Sequence, residues 1–257
     1  MIRRAPLVLV LLIVAAAQFG LAVVLDESAM QDGLGAVARL LGVRYSDLIV
    51  AVGTGILGAI AGVVGTYAVL RDRALVGDAV AHAALPGIVL AVLVTGGRAF
   101  YDLLLGALVA GLLGVFLVHL LTRFSRLKND AALAIVLSTF FGLGIALIGV
   151  VETSGEVTRA GLETFLLGQA AAMLARDVIA LIWTGTGLLA LVLLLRKEFR
   201  LVTFDSAYAS AQGWPAGWID GVILALLVVV TVIGLPAVGV ILIAALILLP
   251  GVIVRFW

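Results

Sequence analysis

The 257-residue sequence has no cysteine, few charged residues and only two histidines. The absence of cysteine excludes disulfides, thiolate metal ligands and cysteine nucleophiles. Charged residues make up 12% of the chain, about half the share found in a soluble domain. No basic patch is large enough to hold nucleic acid phosphates. The two histidines are too far apart for the H-E-x-x-H motif of an intramembrane zinc protease.

Apolar residues, in contrast, are abundant: 64% of the chain is hydrophobic and its mean hydropathy is +1.31. Several uncharged runs reach the length of about 20 residues that a helix needs to cross a bilayer. The sequence therefore predicts an all-α transmembrane bundle surrounded by lipid. The predicted spans are residues 5–25, 48–70, 79–97, 103–122, 131–151, 178–195, 214–233 and 235–254.

The last two spans come from one long run that we divide at Gly234-Leu235-Pro236, a plausible tight turn. If this run is a single kinked helix, the count falls from eight spans to seven. The run at 5–25 follows Arg3 and Arg4 and resembles a signal peptide, but we interpret it as an uncleaved first helix. A cytoplasmic N-terminus puts eleven of the 16 Lys and Arg residues inside, as the positive-inside rule requires. Residues 1–257 form one transmembrane domain.

An aspartate and a histidine, Asp78 and His82, lie four residues apart at the start of the third span. On a helix they share a face, and burying such residues in a membrane is expensive. Asp78 could cap the helix and hold His82 by a hydrogen bond. The pair could instead relay protons, or bind a divalent metal such as manganese, iron or zinc. A metal would need more ligands, which a symmetric dimer could supply.

Other polar residues have weaker interpretations. Asp47 either caps the second span or lies at the mouth of a pathway. Glu152, Glu156 and Glu163 either form a solvated loop face or a vestibule that attracts a cation or a docking protein. His119 is explained by its place near the cytoplasmic interface, and we assign it no role.

The longest cytoplasmic connection, residues 201–216, contains signals for a short helix. Phe204 and Asp205 lie in a stretch that offers a cap, residues 207–212 read as helix, and Gly213 stops it. Such a helix could lie on the membrane or insert into a cytoplasmic partner.

Four motifs resemble the permeases of bacterial zinc, manganese and iron ABC importers. The most specific is G-D-A-V-A-H-A-A-L-P-G at residues 77–87. Phe204, Asp205, Ala209 and Gly213 are similar to the F-D-x-x-x-A-x-x-x-G coupling segment of that family. The others are A-V-G-V at 237–240 with L-P at 249–250, and L-L-G at 166–168. Members of the family commonly continue past the segment that matches Pro250, so this chain is expected to be a short or a truncated member.

The resemblance implies a non-enzymatic importer subunit in the bacterial cytoplasmic membrane. It would pair with a second permease chain, receive a metal ion from an extracytoplasmic binding protein, and bind cytoplasmic ATP-binding subunits. Asp78 and His82 would be transient metal ligands, Asp47 and Glu152 would lie at the entrance, and no cofactor would be bound permanently. The alternatives are a permease for cobalamin or an iron-siderophore, or a gradient-driven secondary transporter.

Overall fold

The computed structural model describes residues 27–73, 75–96, 100–154, 168–170 and 173–256. Over these ranges the chain forms helices joined by short turns. They are α1 (Glu27–Leu41), α2 (Tyr45–Leu70), α3 (Val76–Thr95), α4 (Phe100–Phe124), α5 (Asn129–Ser154), α6 (Ala175–Leu194), α7 (Arg196–Phe204), α8 (Ser206–Ala211) and α9 (Ala216–Phe256).

Six of these helices, α2 to α6 and α9, are long and apolar enough to cross a membrane. Helices α2 to α6 begin and end within a few residues of the five spans predicted between residues 48 and 195, which confirms those predictions. The predicted first span, residues 5–25, lies outside the described residues, so the count of eight spans stays a prediction.

Helix α1 was not predicted, because the sequence from Glu27 to Leu41 has charged residues and no long uncharged run. Its Ala38 is buried, and Leu34 packs against the core. These two residues are four positions apart and therefore lie on one face of the helix. This spacing of apolar residues indicates a helix with one buried face, which a search for uncharged runs does not detect.

Helix α9 is 41 residues long and is broken at Gly239. At 1.5 Å per residue it would extend about 60 Å, twice the hydrocarbon thickness of a bilayer. The break divides it into segments 216–238 and 240–256. The predicted turn at Gly234-Leu235-Pro236 is wrong, because these residues are helical and Gly239 alone has non-helical angles, φ 80° and ψ 172°. A positive φ suits glycine, whereas proline keeps the negative φ of a helix.

Residues 168–170 pack against this break. The Gln169 amide donates a hydrogen bond of 3.2 Å to the carbonyl of Pro236. Gly168 lies so close to the backbone of Gly239 that a side chain would collide with it. The short segment therefore supplies a partner for a carbonyl at the point where the helix is interrupted.

Helix α3 occupies the centre of the bundle. Thirteen of its 20 residues are buried, and it packs against α4, α5 and α9. Its backbone meets that of α4 where Gly87 faces Gly106, and a Cβ atom on either glycine would collide with the carbonyl of the other. Two facing glycines thus allow the helices to approach as closely as backbones can.

Replacing Gly87 by alanine should destabilise the protein by about 1–3 kcal/mol, as overpacking usually does. The matched control is Gly55→Ala, because Gly55 lies in α2 with no atom near its missing Cβ. That change should be neutral or stabilise by up to about 1 kcal/mol, since alanine is the better helix former. Thermal unfolding in detergent measures both. A Gly87→Ala variant as stable as the wild type would contradict the close packing of α3 on α4.

Candidate functional site

The candidate site lies on α3, at the two ionisable side chains of this helix. Asp78 and His82 are 44% and 29% exposed at their side chains, on a helix that is otherwise largely buried. Their nearest atoms, Asp78 Oδ1 and His82 Nε2, are 3.6 Å apart. This distance is too long for a hydrogen bond but short enough for electrostatic attraction. The two groups therefore share a face without being locked to each other.

The interpretation of Asp78 as a helix cap is wrong. Leu75 occupies the N-cap position of α3, and no side chain makes a capping hydrogen bond there. Asp78 instead lies within the first helical turn, where its negative charge is favoured by the helix dipole. Its side chain is 44% exposed and makes no capping hydrogen bond.

Helix α5 positions the imidazole of His82. The ring of Phe141 meets it edge to face, with ring centres 5.2 Å apart. His82 follows Val76 by six residues, which places it about 9 Å along the helix. Pro86 lies in the next turn, and α3 continues through it as one helix. The pair therefore lies near one end of the bundle, the end at which a turn joins α2 to α3.

The described residues hold no group of three or more His, Cys, Asp or Glu side chains able to bind a metal ion. Within that part of the chain, Asp78 and His82 are thus only a pair of candidate ligands. Protein sites for transition metals usually have at least three protein ligands. A complete site would need ligands from water, from undescribed residues or from another copy.

The two residues predicted at an entrance, Asp47 and Glu152, lie on α2 and α5 and not on α3. Asp47 is in the first turn of α2 and forms an exposed ion pair of 3.1 Å with Arg44. Arg44 holds the N-cap position, so the prediction that Asp47 caps the helix is wrong. From Asp47 to the end of α2 is about 35 Å, so the structure does not bring it to Asp78. Glu152 lies in the last turn of α5; its side chain, Glu156 and Glu163 lie outside the described residues.

His119 lies on an exposed face of α4 and lines an apolar groove between α4, α6 and α9. The Asp78–His82 pair lies on α3, and no contact joins it to His119 among the described residues.

The short helix predicted within residues 201–216 is confirmed as α8. Asp205 caps it, because its Oδ1 accepts a hydrogen bond of 2.8 Å from the Tyr208 amide. Ala209 is fully buried, and Gly213 ends the segment with a φ of 80°. Phe204 is 75% exposed. A buried alanine thus anchors the segment while an aromatic ring remains available to a partner.

A buried ion cluster next to this segment was missed by sequence reasoning. Asp220 is only 8% exposed and pairs with Arg71 and with Arg73, each at 2.9 Å. Arg71 also donates a hydrogen bond of 2.6 Å to the carbonyl of Val202. The one available signal was an aspartate just before a long uncharged run, opposite an arginine-rich turn.

The sequence model of the ABC 3 transport family matches residues 44–257 of this chain. The chain belongs to the ABC 3 transport family. With its apolar helices, this makes it a multi-pass membrane protein.

Two relatives in the ABC 3 transport family carry metals in their names. The manganese transport system membrane protein MntC of Bacillus subtilis is 45% identical over 205 residues, or 80% of this chain and 47% of that protein. The zinc transport system membrane protein TroC of Treponema pallidum is 44% identical over 208 residues, covering 81% and 70%. The chain thus spans about half the length of the Bacillus protein that it matches.

A solved structure has a similar fold. A chain of PsaBC from Streptococcus pneumoniae, in complex with a Fab, is 33% identical with a TM-score of 0.64. The similarity covers 78% of this chain and 68% of that one. The helical arrangement described above is therefore similar to that of a PsaBC chain.

The cap of α8 can be tested by Asp205→Ala. Loss of the hydrogen bond to Tyr208 should weaken the segment by about 0.5–2 kcal/mol, seen as faster amide hydrogen exchange across Ser206–Ala211. The control is Asp205→Asn, because asparagine caps helices as well as aspartate does and should keep the exchange slow. Equally fast exchange in both variants would mean that the charge of Asp205, and not its capping bond, holds the segment.

Proposed function

We propose that this chain is the membrane-spanning permease subunit of an ATP-driven importer of divalent transition-metal ions: manganese, zinc or iron. The observation that carries the proposal is the Asp78–His82 pair, which consists of the two ionisable side chains of the central helix. Carboxylate and imidazole are ligands that these three metals accept. The names of the manganese and zinc relatives support the same class of cargo.

The cargo ion passes between two permease chains. One chain offers two ligands, so two copies related by a twofold axis offer two carboxylates and two imidazoles. The exposed side of Asp78 and His82 is where such a copy adds its ligands, since most of α3 is buried against α4, α5 and α9. The ion is cargo and no cofactor stays bound, so a sparse ligand set serves release as well as capture.

The path runs from an extracytoplasmic binding protein to the cytoplasm. The entrance is formed at the end of the bundle that contains Asp47 and Glu152, whose carboxylates attract a cation. Asp47 lies about 35 Å from the α2–α3 turn, roughly the thickness of a membrane. The Asp78–His82 pair lies close to that turn and therefore near the cytoplasmic exit.

ATP hydrolysis takes place on separate cytoplasmic subunits, because the sequence has no G-x-x-x-x-G-K-[ST] phosphate-binding loop. Helix α8 is the coupling segment, with Phe204, Asp205, Ala209 and Gly213 as its defining residues. The exposed rings of Phe204 and Tyr208 are the contacts offered to those subunits. Aromatic side chains are common at such interfaces because they give large contact areas at a low entropy cost.

Metal accumulation in cells that depend on this importer tests the proposal. Asp78→Ala and His82→Ala should each lower uptake at least about tenfold, since loss even of groups that support metal ligands has effects of this size. His119→Ala is the matched control and should leave uptake unchanged, because that histidine lies in a groove on another helix. Comparing manganese, zinc and iron identifies the cargo. Normal uptake by well-expressed Asp78 and His82 variants would reject their role as ligands.

A further inference from the structure

We propose that Asp220 is a positioning residue that transmits movement of the coupling segment to helix α3 through Arg71 and Arg73. The inference rests on the proposed function, since it concerns how ATP-driven movement reaches the Asp78–His82 pair. These ion pairs would connect the coupling segment to α3, although the two are not adjacent in the sequence.

One arginine joins both ends of the coupling segment. Val202 lies near the end of α7, which precedes α8, and Asp220 lies in the first turns of α9, which follows α8. Arg71 donates from Nη1 to the Val202 carbonyl at 2.6 Å and pairs through Nη2 with Asp220 Oδ1 at 2.9 Å. When α8 moves, its two flanks therefore move with the same guanidinium.

The second arginine continues the connection to α3. Arg73 pairs through Nη2 with the other oxygen of Asp220, Oδ2, at 2.9 Å. The Arg73 carbonyl accepts a hydrogen bond of 3.2 Å from the Val76 amide, the first residue of α3. Asp78 follows two residues later. Each carboxylate oxygen of Asp220 thus holds a different arginine of the turn that leads into the metal-binding helix.

Burial makes this connection firm. The three charged side chains are shielded from water, where ion pairs are screened less and the loss of one partner is costly. Asp72, in the same turn, forms an ion pair that differs from the Asp220 pairs in its exposure. Asp72 pairs with Arg255 at 3.1 Å, and the two side chains are 81% and 57% exposed. An exposed pair of that kind contributes little, so Asp72 provides the matched control.

The test uses the complete importer in proteoliposomes and measures metal transported per ATP hydrolysed. Asp220→Asn and Arg73→Gln should lower this ratio at least about fivefold, the lower end of typical coupling between distant sites, while ATP hydrolysis continues. Arg73→Lys should restore the ratio, because Arg73 uses a single nitrogen on Asp220. Asp72→Asn should leave the ratio at the wild-type value.

A role in stability alone predicts a different result. Uptake and ATP hydrolysis would then fall together with the yield of assembled complex, and their ratio would stay constant. Such a constant ratio in Arg73→Gln would overturn the proposal. This variant keeps the Arg71–Asp220 pair, so it decides the matter even if Asp220→Asn fails to assemble.

Hydrogen exchange separates this proposal from the proposed function. A non-hydrolysable ATP analogue should change amide exchange over residues 76–82 in the wild-type complex and in Asp72→Asn, but not in Arg73→Gln. If wild-type complexes move none of the three metals, the proposed function fails and this exchange measurement still tests the connection. If the wild type transports metal but the analogue changes exchange equally in Arg73→Gln, the connection alone is rejected.

Discussion

The structure depends first on a property of the bilayer: inside it, every peptide group must find its hydrogen-bond partner within the protein. This condition explains why the apolar runs fold as helices and why the interruption at Gly239 is accompanied by a bond from Gln169 to Pro236. Hydroxyl groups obey the same condition. Thr54 and Thr231 each donate to the carbonyl four residues earlier, at 2.7 and 2.8 Å, so neither brings an unsatisfied polar group into the membrane.

The ionisable groups of the bundle are arranged in two different ways. Asp220 is satisfied by two arginines and is buried. Asp78 and His82 are near each other but not hydrogen-bonded, and they are partly exposed on a helix that is otherwise largely buried. The first arrangement fixes the position of protein segments. The second leaves ligand atoms available, which is what a site for a passing cation requires.

Local sequence patterns predicted what depends on local interactions. The membrane helices follow from uncharged runs, because the cost of placing charge in lipid applies to each segment separately. The cap at Asp205 and the stop at Gly213 were predicted for a similar reason: both act on residues within a few positions along the chain. The pairing of Asp78 with His82 follows from the helical repeat alone.

Features that depend on distant residues were not predicted. Proline and glycine at 234–236 are the stronger local signal for a turn, yet the break lies at Gly239, where residues 168–170 pack against it. Caps predicted at Asp78 and Asp47 failed because each helix begins a few residues earlier than the charge suggested. Asp220 was overlooked because its partners are 147 and 149 residues away, and no local pattern indicates them.

That separation has a consequence for biosynthesis. Arg71 and Arg73 emerge from the ribosome well before Asp220, the carboxylate with which both form ion pairs, and at about 5–20 residues per second the delay is on the order of ten seconds. During this interval helices α3 to α8 are synthesised while the two guanidinium groups still depend on water or lipid phosphates. The α2–α3 turn is therefore expected to reach its final packing late, when α9 arrives.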